Sequence, residues 1–347
     1  MLYIALKSLI SLGLHAYHKK IEVYGADNIP KEGPVLFLPN HQSALLDVLL
    51  VGANFKRKPY FLTRSDVFGK PVLIAFFNYL KMIPVYRIRD GRDTLSKNDA
   101  IFDVCAQLLK KGEAVTMFPE ANHNLDRRVR HLSKGFTRLI FKALELSPQL
   151  DIQIVPVGFN YNRAVGFPDT VAVYYGKPIL VQQLYDPEDL PGSVSTIKNS
   201  VSASLETLTT HITPETHYDE INSYLEAEQV DFLDPQVSND LIKKWSASKK
   251  DTILKNEPHT CRRSLWYPLF VLLNFPVVLL WKLGVKPKVW EAEFTGTLRF
   301  ATALLGFIGY YSLLLLVFTI VLSFWWALGL ISSLFTFNWF YVKYARF

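Results

Sequence analysis

From Phe300 to Val342 the chain carries no charged side chain. A polypeptide can tolerate such a stretch in water only if it is fully buried, and its length suits two membrane spans of about 20 residues each. The joint is expected near Ser323–Gly329. Arg299 precedes the stretch and Lys343 and Arg346 follow it, with Lys282, Lys286 and Lys288 just upstream. Basic residues at both outer ends place both ends on the cytoplasmic side. Leu265–Trp281 is also apolar, but Pro268 and Pro276 interrupt it and basic residues flank it on both sides. It therefore reads as re-entrant or interfacial rather than spanning. At the N-terminus Leu2, Leu6, Leu9, Ile10 and Leu14 recur at helical spacing ahead of His18, Lys19 and Lys20. That pattern predicts an amphipathic helix over residues 1–20 lying in the headgroup region; an ordinary helix packed on the domain gives the same periodicity.

Between these apolar ends the chain changes character. Val35–Leu38, Tyr60–Leu62, Ala114–Phe118, Ile152–Val157 and Val171–Tyr174 read as buried strands. Ser43–Val51, Asn98–Lys110 and Gly135–Leu146 read as helices between them. The alternation predicts an α/β domain over residues 21–182, with a mostly parallel sheet flanked by helices. Residues 183–262 form a polar helical extension, broken around Pro187, Pro191 and Pro214, and residues 263–347 form the membrane-embedded region. Lys243, Lys244, Lys249, Lys250, Arg262 and Arg263 make a basic approach to it. The formal net charge is +7 and half the residues are hydrophobic. Together they point to an anionic membrane and a phosphorylated substrate rather than to nucleic acid. Two cysteines, Cys105 and Cys261, can build neither a disulfide framework nor a zinc site alone.

Ligand sites in open α/β sheets lie outside the carboxyl ends of the strands, and four segments there carry chemistry. After Val35–Leu38 comes Asn40-His41-Gln42-Ser43-Ala44-Leu45-Leu46-Asp47. Asp47 can accept the Nδ1 proton of His41 and fix its tautomer, leaving Nε2 as a general base for a substrate hydroxyl. Met82–Val85 ends in Arg87 and Arg89, with Arg92 and Lys97 beyond; arginine forks match phosphate oxygens. The strand ending at Phe118 runs into Pro119, Glu120, Ala121, Asn122 and His123, followed by Arg127, Arg128, Arg130, His131, Lys134 and Arg138. Those cations could hold a substrate phosphate, the phosphates of a coenzyme or an acidic carrier protein. Ile154–Tyr161 is another strand ending at a turn, and would wall the cleft. No P-loop or dinucleotide fingerprint is present.

In this order the four segments resemble the lysophospholipid and glycerolipid acyltransferases, the family of bacterial 1-acylglycerol-3-phosphate acyltransferase. Asn40-His41 with Asp47 resembles its N-H-x-x-x-x-D block, Arg87 its arginine block, Phe118-Pro119-Glu120 its F-P-E-G block and Val155-Pro156-Val157 its V-P-V block. The resemblance covers about Gly25 to Pro178. Three positions depart from it. Five residues separate His41 from Asp47 where the family has four, Ala121 stands for glycine, and His123 stands where an arginine often binds the substrate phosphate.

The resemblance implies a catalytic pair, His41 as base and Asp47 as its orienting partner. The acceptor's polar head would be held by Arg87, Phe118, Pro119, Glu120, Asn122, His123, Arg127 and Arg128. It implies acyl transfer from acyl-CoA or acyl carrier protein to 1-acylglycerol-3-phosphate, giving phosphatidate, with no cofactor and no metal. The wider spacing points to glycerol-3-phosphate as a second acceptor, and the loss of the phosphate arginine to an N-acyl amino-acid lipid as a third. A thioesterase and a non-catalytic membrane scaffold are the competing readings. The expected location is a bacterial inner membrane, with the catalytic domain facing the cytoplasm.

Overall fold

The computed structural model describes residues 2–54, 57–69, 71–87, 91, 93, 96–247 and 265–344. The sequence features at Arg89, Arg92, Lys249, Lys250, Cys261, Arg262, Arg263 and Arg346 lie outside those residues. Helix α1 (Leu2–Tyr17) leads into β1 (Lys20–Tyr24), followed by β2 (Val35–Pro39), α2 (Ala44–Asn54) and β3 (Tyr60–Arg64). Next come α3 (Pro71–Tyr79), β4 (Met82–Val85), α4 (Lys97–Lys110), β5 (Ala114–Thr116) and α5 (Gly135–Leu146). Strands β6 (Gln153–Tyr161), β7 (Thr170–Tyr175) and β8 (Ile179–Leu180) complete the sheet. Its order is β1-β7-β6-β2-β5-β3-β4, with β8 paired to β6. Every pair is parallel except β6–β7 and β6–β8. The mostly parallel α/β sheet flanked by helices is thus as the alternation predicts, while β1 and β4 join it without having stood out as strands.

The central strands are apolar throughout because both sheet faces are covered. Successive residues of β2 point to opposite faces. Leu36 and Leu38 enter a core with Leu109, Phe136 and Ile140 of α4 and α5. Val35 and Phe37 enter a second core with Leu14 and Tyr17 of α1, Leu46 and Leu50 of α2, and Phe300. The carboxyl half of α1 is therefore a core element, while Ile4, Leu9 and Leu12 stay exposed.

The polar extension forms α6 (Leu190–Leu208), α7 (Tyr218–Ala227) and α8 (Pro235–Ala247), with a small core around Ile221, Leu225 and Phe232. The C-terminal region begins with α9 (Tyr267–Leu273) and α10 (Phe275–Leu279). The pair Tyr267–Leu273 and Phe275–Lys288 is bent by 97°, where Pro276 interrupts the helix. Then follow α11 (Phe294–Val321) and α12 (Phe324–Tyr344), joined at Leu322 and Ser323. Helix α11 begins before the charge-free stretch and incorporates Arg299, whose guanidinium donates to the carbonyls of Gly166 (2.8 Å) and Val165 (2.9 Å). Among the described residues α11 is the one unbroken helix long and apolar enough to cross a bilayer. Helix α12 is less apolar, carrying Ser332, Ser333 and Asn338. Asn338 and Asn274 exchange amide hydrogen bonds at 2.7 and 2.8 Å, which tie α12 to the bend between α9 and α10.

Candidate active site

Five strands deliver the site at their carboxyl ends: β2 to His41, β5 to Phe118 and His123, β3 to Arg64, β4 to Arg87 and β6 to Tyr161. Pro39 has no N–H to continue the ladder, and Asn40 takes over. Its backbone N–H donates to Val157 (3.1 Å), its side-chain oxygen accepts from the Phe159 N–H (2.7 Å) and its amide donates to the Phe159 carbonyl (3.2 Å). This clamp fixes where the chain leaves the sheet, and so where His41 stands.

His41 Nδ1 lies 2.8 Å from Asp47 Oδ2. The same oxygen accepts the backbone N–H groups of Gln42 (2.9 Å) and Ser43 (2.8 Å), and Oδ1 accepts the Tyr161 hydroxyl at 2.6 Å. The Asp47 side chain is 0% exposed. Four donors thus satisfy both oxygens of this buried carboxyl group. It keeps the proton of neutral His41 on Nδ1 and leaves Nε2, which has no hydrogen-bond partner among the described residues, as the basic nitrogen. Burial and the neighbouring Asp47 push the Tyr161 phenol well above its ordinary range, so it remains a donor. The extra residue between His41 and Asp47 is absorbed outside the helix. Residues 41–43 form a turn, and Ala44, with φ 42°, starts α2 from a left-handed conformation.

The Phe118 ring stacks on His41 with centroids 3.9 Å apart and 27° between planes. Pro119 is buried, and its carbonyl accepts the Ser133 N–H at 2.8 Å. The Glu120 carboxylate, expected at the acceptor's head, takes two bonds from the Arg130 guanidinium (3.1 and 2.6 Å) and one from the Arg130 N–H (3.3 Å). Arg130 also reaches the Asn122 carbonyl, and the Asn122 side chain lies exposed. Glu120 thus shapes the loop. Ala121, in the glycine position of the related motif, has φ 58°. A side chain in that region costs about 1–2 kcal/mol, partly offset by glycine's looser unfolded chain. Ala121→Gly is expected to stabilise the protein by about 0.5–1 kcal/mol, seen as a higher thermal midpoint; an unchanged or lower midpoint refutes the strain.

Arg127 and Arg128, expected to hold substrate, make their contacts elsewhere. The Arg127 guanidinium donates to the carbonyls of Tyr161 (2.7 Å) and Asn162 (2.8 Å) and lies 3.7 Å from the centre of the Phe232 ring. Arg128 pairs with Glu215 at 2.5 Å. Both fasten the loop to the polar extension. Arg87 does reach the site edge, 3.5 Å from Asp66. Asp66 also binds Arg64, which the sequence reading missed although it directly follows a strand. Arg64 and Val85 are register partners on β3 and β4, so the two guanidiniums converge on one sheet end around Asp66.

The remaining wall comes from the C-terminal region. His123 Nε2 is 2.7 Å from Glu291 Oε2, and its ring meets Phe294 edge-on at 4.8 Å and His41 at 5.6 Å. Arg64 lies 5.8 Å from the Phe294 ring centre. Thr297 accepts the Leu46 N–H at 3.2 Å and donates to the Ser43 carbonyl at 3.3 Å. A Cβ on Gly296 would come within 2.9 Å of Leu46 and 3.1 Å of Ser43 Oγ. The base of α11 therefore seats on the turn carrying His41. Glu293 completes a group whose ligand-type atoms lie within 4.8 Å of one another. No sequence periodicity marks Glu291 or Phe294 as site residues.

Residues 20–160 match the family model described as Acyltransferase. The chain is 27% identical over 150 residues to the chloroplastic 1-acyl-sn-glycerol-3-phosphate acyltransferase of Arabidopsis thaliana, covering 42% of this chain but only 37% of that one. It is 24% identical over 215 residues to the 1-acyl-sn-glycerol-3-phosphate acyltransferase of Borreliella burgdorferi, covering 59% of this chain and 80% of that one. A crystal structure of the 1-acyl-sn-glycerophosphate acyltransferase of Thermotoga maritima aligns with TM-score 0.38 and 21% identity, over 53% of this chain and 71% of that one. The matched segment holds the His41–Asp47 pair and the Phe118–His123 loop. That segment is similar to the acyltransferase family, and the chain spans well under half the length of the Arabidopsis relative it matches.

Proposed function

We propose that the protein transfers a fatty-acyl group from acyl-CoA or acyl carrier protein to the free hydroxyl of 1-acylglycerol-3-phosphate, giving phosphatidate. The observation that carries this is the His41–Asp47 pair, 2.8 Å apart, at the same sheet end as Arg64 and Arg87, the ends of β3 and β4. His41 Nε2 removes the hydroxyl proton as the oxygen attacks the thioester carbonyl. Asp47 stabilises the imidazolium. Collapse of the tetrahedral intermediate breaks the C–S bond, and the imidazolium returns its proton to the departing thiolate. No serine or cysteine nucleophile is needed, because the acceptor supplies the oxygen. Arg87 and Arg64 hold the phosphate. An apolar crevice lined by Leu6 and Ile10 of α1 and by Val48, Leu49, Phe61 and Met82 offers the acyl chain a path.

The reaction takes place at a bilayer on this reading. The apolar face of α11 is uncovered, with Leu305, Leu316, Ile320 and Val321 at least 60% exposed. Surfaces of that size on a soluble monomer mark a partner or a membrane. Helices α11 and α12 form a membrane hairpin, α9 and α10 dip in from one side, and the exposed face of α1 lies in the headgroup layer. Lys282, Lys286, Lys288 and Lys343 keep the catalytic domain on the cytoplasmic face of a bacterial inner membrane.

The test supplies purified protein in detergent with labelled acyl-CoA or acyl carrier protein. The acceptors are 1-acylglycerol-3-phosphate, glycerol-3-phosphate, an N-acyl amino acid, or none. The expected product is phosphatidate. Donor loss without acceptor indicates a thioesterase, and no turnover with either donor leaves a membrane scaffold.

A further inference from the structure

The segment that carries the catalytic pair is held at both ends from within the α/β domain. At His41, Asn40 clamps the chain to β6, and the His41 carbonyl accepts the Asn124 N–H at 3.0 Å. At Asp47, the carboxylate takes the Tyr161 hydroxyl at 2.6 Å. The residues between them, Ser43 to Leu46, include the left-handed Ala44, with φ 42°. A side chain disfavours that conformation, which persists only where the surroundings over-determine it. Helix α11 supplies part of those surroundings. The Thr297 hydroxyl accepts the Leu46 N–H at 3.2 Å and donates to the Ser43 carbonyl at 3.3 Å. It thus bridges the two ends of a turn that the Leu46 N–H also closes directly on Ser43, at 2.9 Å. Thr297 is buried, and its neighbours fix its place. The Gly296 carbonyl accepts the Tyr17 hydroxyl of α1 at 3.4 Å, and Arg299 grips the carbonyls of Val165 and Gly166.

We propose that Thr297 is a positioning residue for the base: it fixes the Ser43–Leu46 turn, and through it the placing of His41 against Asp47. This rests on the His41-dependent transfer proposed above. The C-terminal helices are then part of the catalytic apparatus as well as its anchor. A general base contributes only when aligned with the proton it removes, and a misplacement of about 1 Å costs about 100-fold in rate. The turn is where such a misplacement arises, because the strained Ala44 is one of the five residues between the pair. Without the hydroxyl brace, Ala44 can relax towards a right-handed conformation. That rotates the start of α2, and with it Asp47, relative to His41.

The experiment compares the full-length enzyme with Thr297→Val, Thr297→Ser, His41→Ala and the His41→Ala/Thr297→Val double variant, using 1-acylglycerol-3-phosphate and both donors. Valine keeps the branched shape and loses only the hydroxyl, and Leu46 keeps its bond to Ser43. Thr297→Val is expected to lower kcat by about 10- to 100-fold, with acceptor KM within about twofold of wild type. Thr297→Ser, which retains the hydroxyl, should recover most of that kcat. In the His41→Ala background the valine should change the residual rate by less than about twofold, because the base it positions is gone. A purely structural role gives the same fold-loss in both backgrounds. That result, or a Thr297→Val kcat equal to wild type, overturns the proposal while leaving the reaction standing. If Thr297→Val does not fold, Gly296→Ala is measured in both backgrounds by the same criterion, since its Cβ presses on Leu46 and Ser43. A wild-type enzyme that transfers nothing with either donor, or a His41→Ala variant with wild-type kcat, overturns the proposed reaction and this inference together.

Discussion

His41→Ala is expected to lower kcat by about 10²- to 10⁴-fold, the range contributed by a positioned general base. That corresponds to about 3–5 kcal/mol of transition-state stabilisation. The loss should be catalytic rather than structural. Asp47 would keep three of its four donors, the N–H groups of Gln42 and Ser43 and the Tyr161 hydroxyl. Asn40 would still clamp the turn to β6. Turnover and thermal midpoint measured on one preparation separate the outcomes. A lost kcat with a midpoint near wild type establishes the base. A kcat within threefold of wild type removes His41 from the mechanism, and with it the basis of the proposed reaction.

Arg127→Ala is expected to lower stability by about 3 kcal/mol, since hydrogen bonds to a charged group contribute about 1.5–3 kcal/mol each. The change strands the carbonyls of Tyr161 and Asn162 and strips the cation from the Phe232 ring. Because those carbonyls end β6, the damage reaches the strand that places the Tyr161 hydroxyl on Asp47. The thermal midpoint should fall by several degrees, while acceptor KM in the folded fraction stays within about twofold. A raised KM at unchanged stability would restore Arg127 to substrate binding and refute its structural assignment.

These variants mark where sequence reasoning succeeds and where it stops. His41 and Asp47 were legible because they lie on one short segment at a strand end, where hydrogen-bonding reach is set by a few backbone torsions. Even there the additional residue between them is resolved only by the left-handed Ala44. Glu120 and Arg130 were both visible as charges, but nothing in their order tells that each neutralises the other. For Arg127 and Arg128 the sequence shows the cations but not which carbonyls or carboxylates they meet.

What the sequence determined by itself is what periodicity and local spacing encode. These are the mostly parallel α/β sheet, the helices between its strands, the apolar C-terminal stretch and the position of the histidine–aspartate pair. The tertiary structure alone decided which distant segments converge. Arg64 and Arg87 meet because β3 and β4 are register partners. Tyr161 reaches Asp47 because β6 lies beside β2. Glu291, Phe294 and Thr297 enter the site because α11 seats its first turns on the loop of His41. Such contacts join residues far apart in the chain. Their pairing depends on how close-packed surfaces fit, and no local sequence signal records that fit.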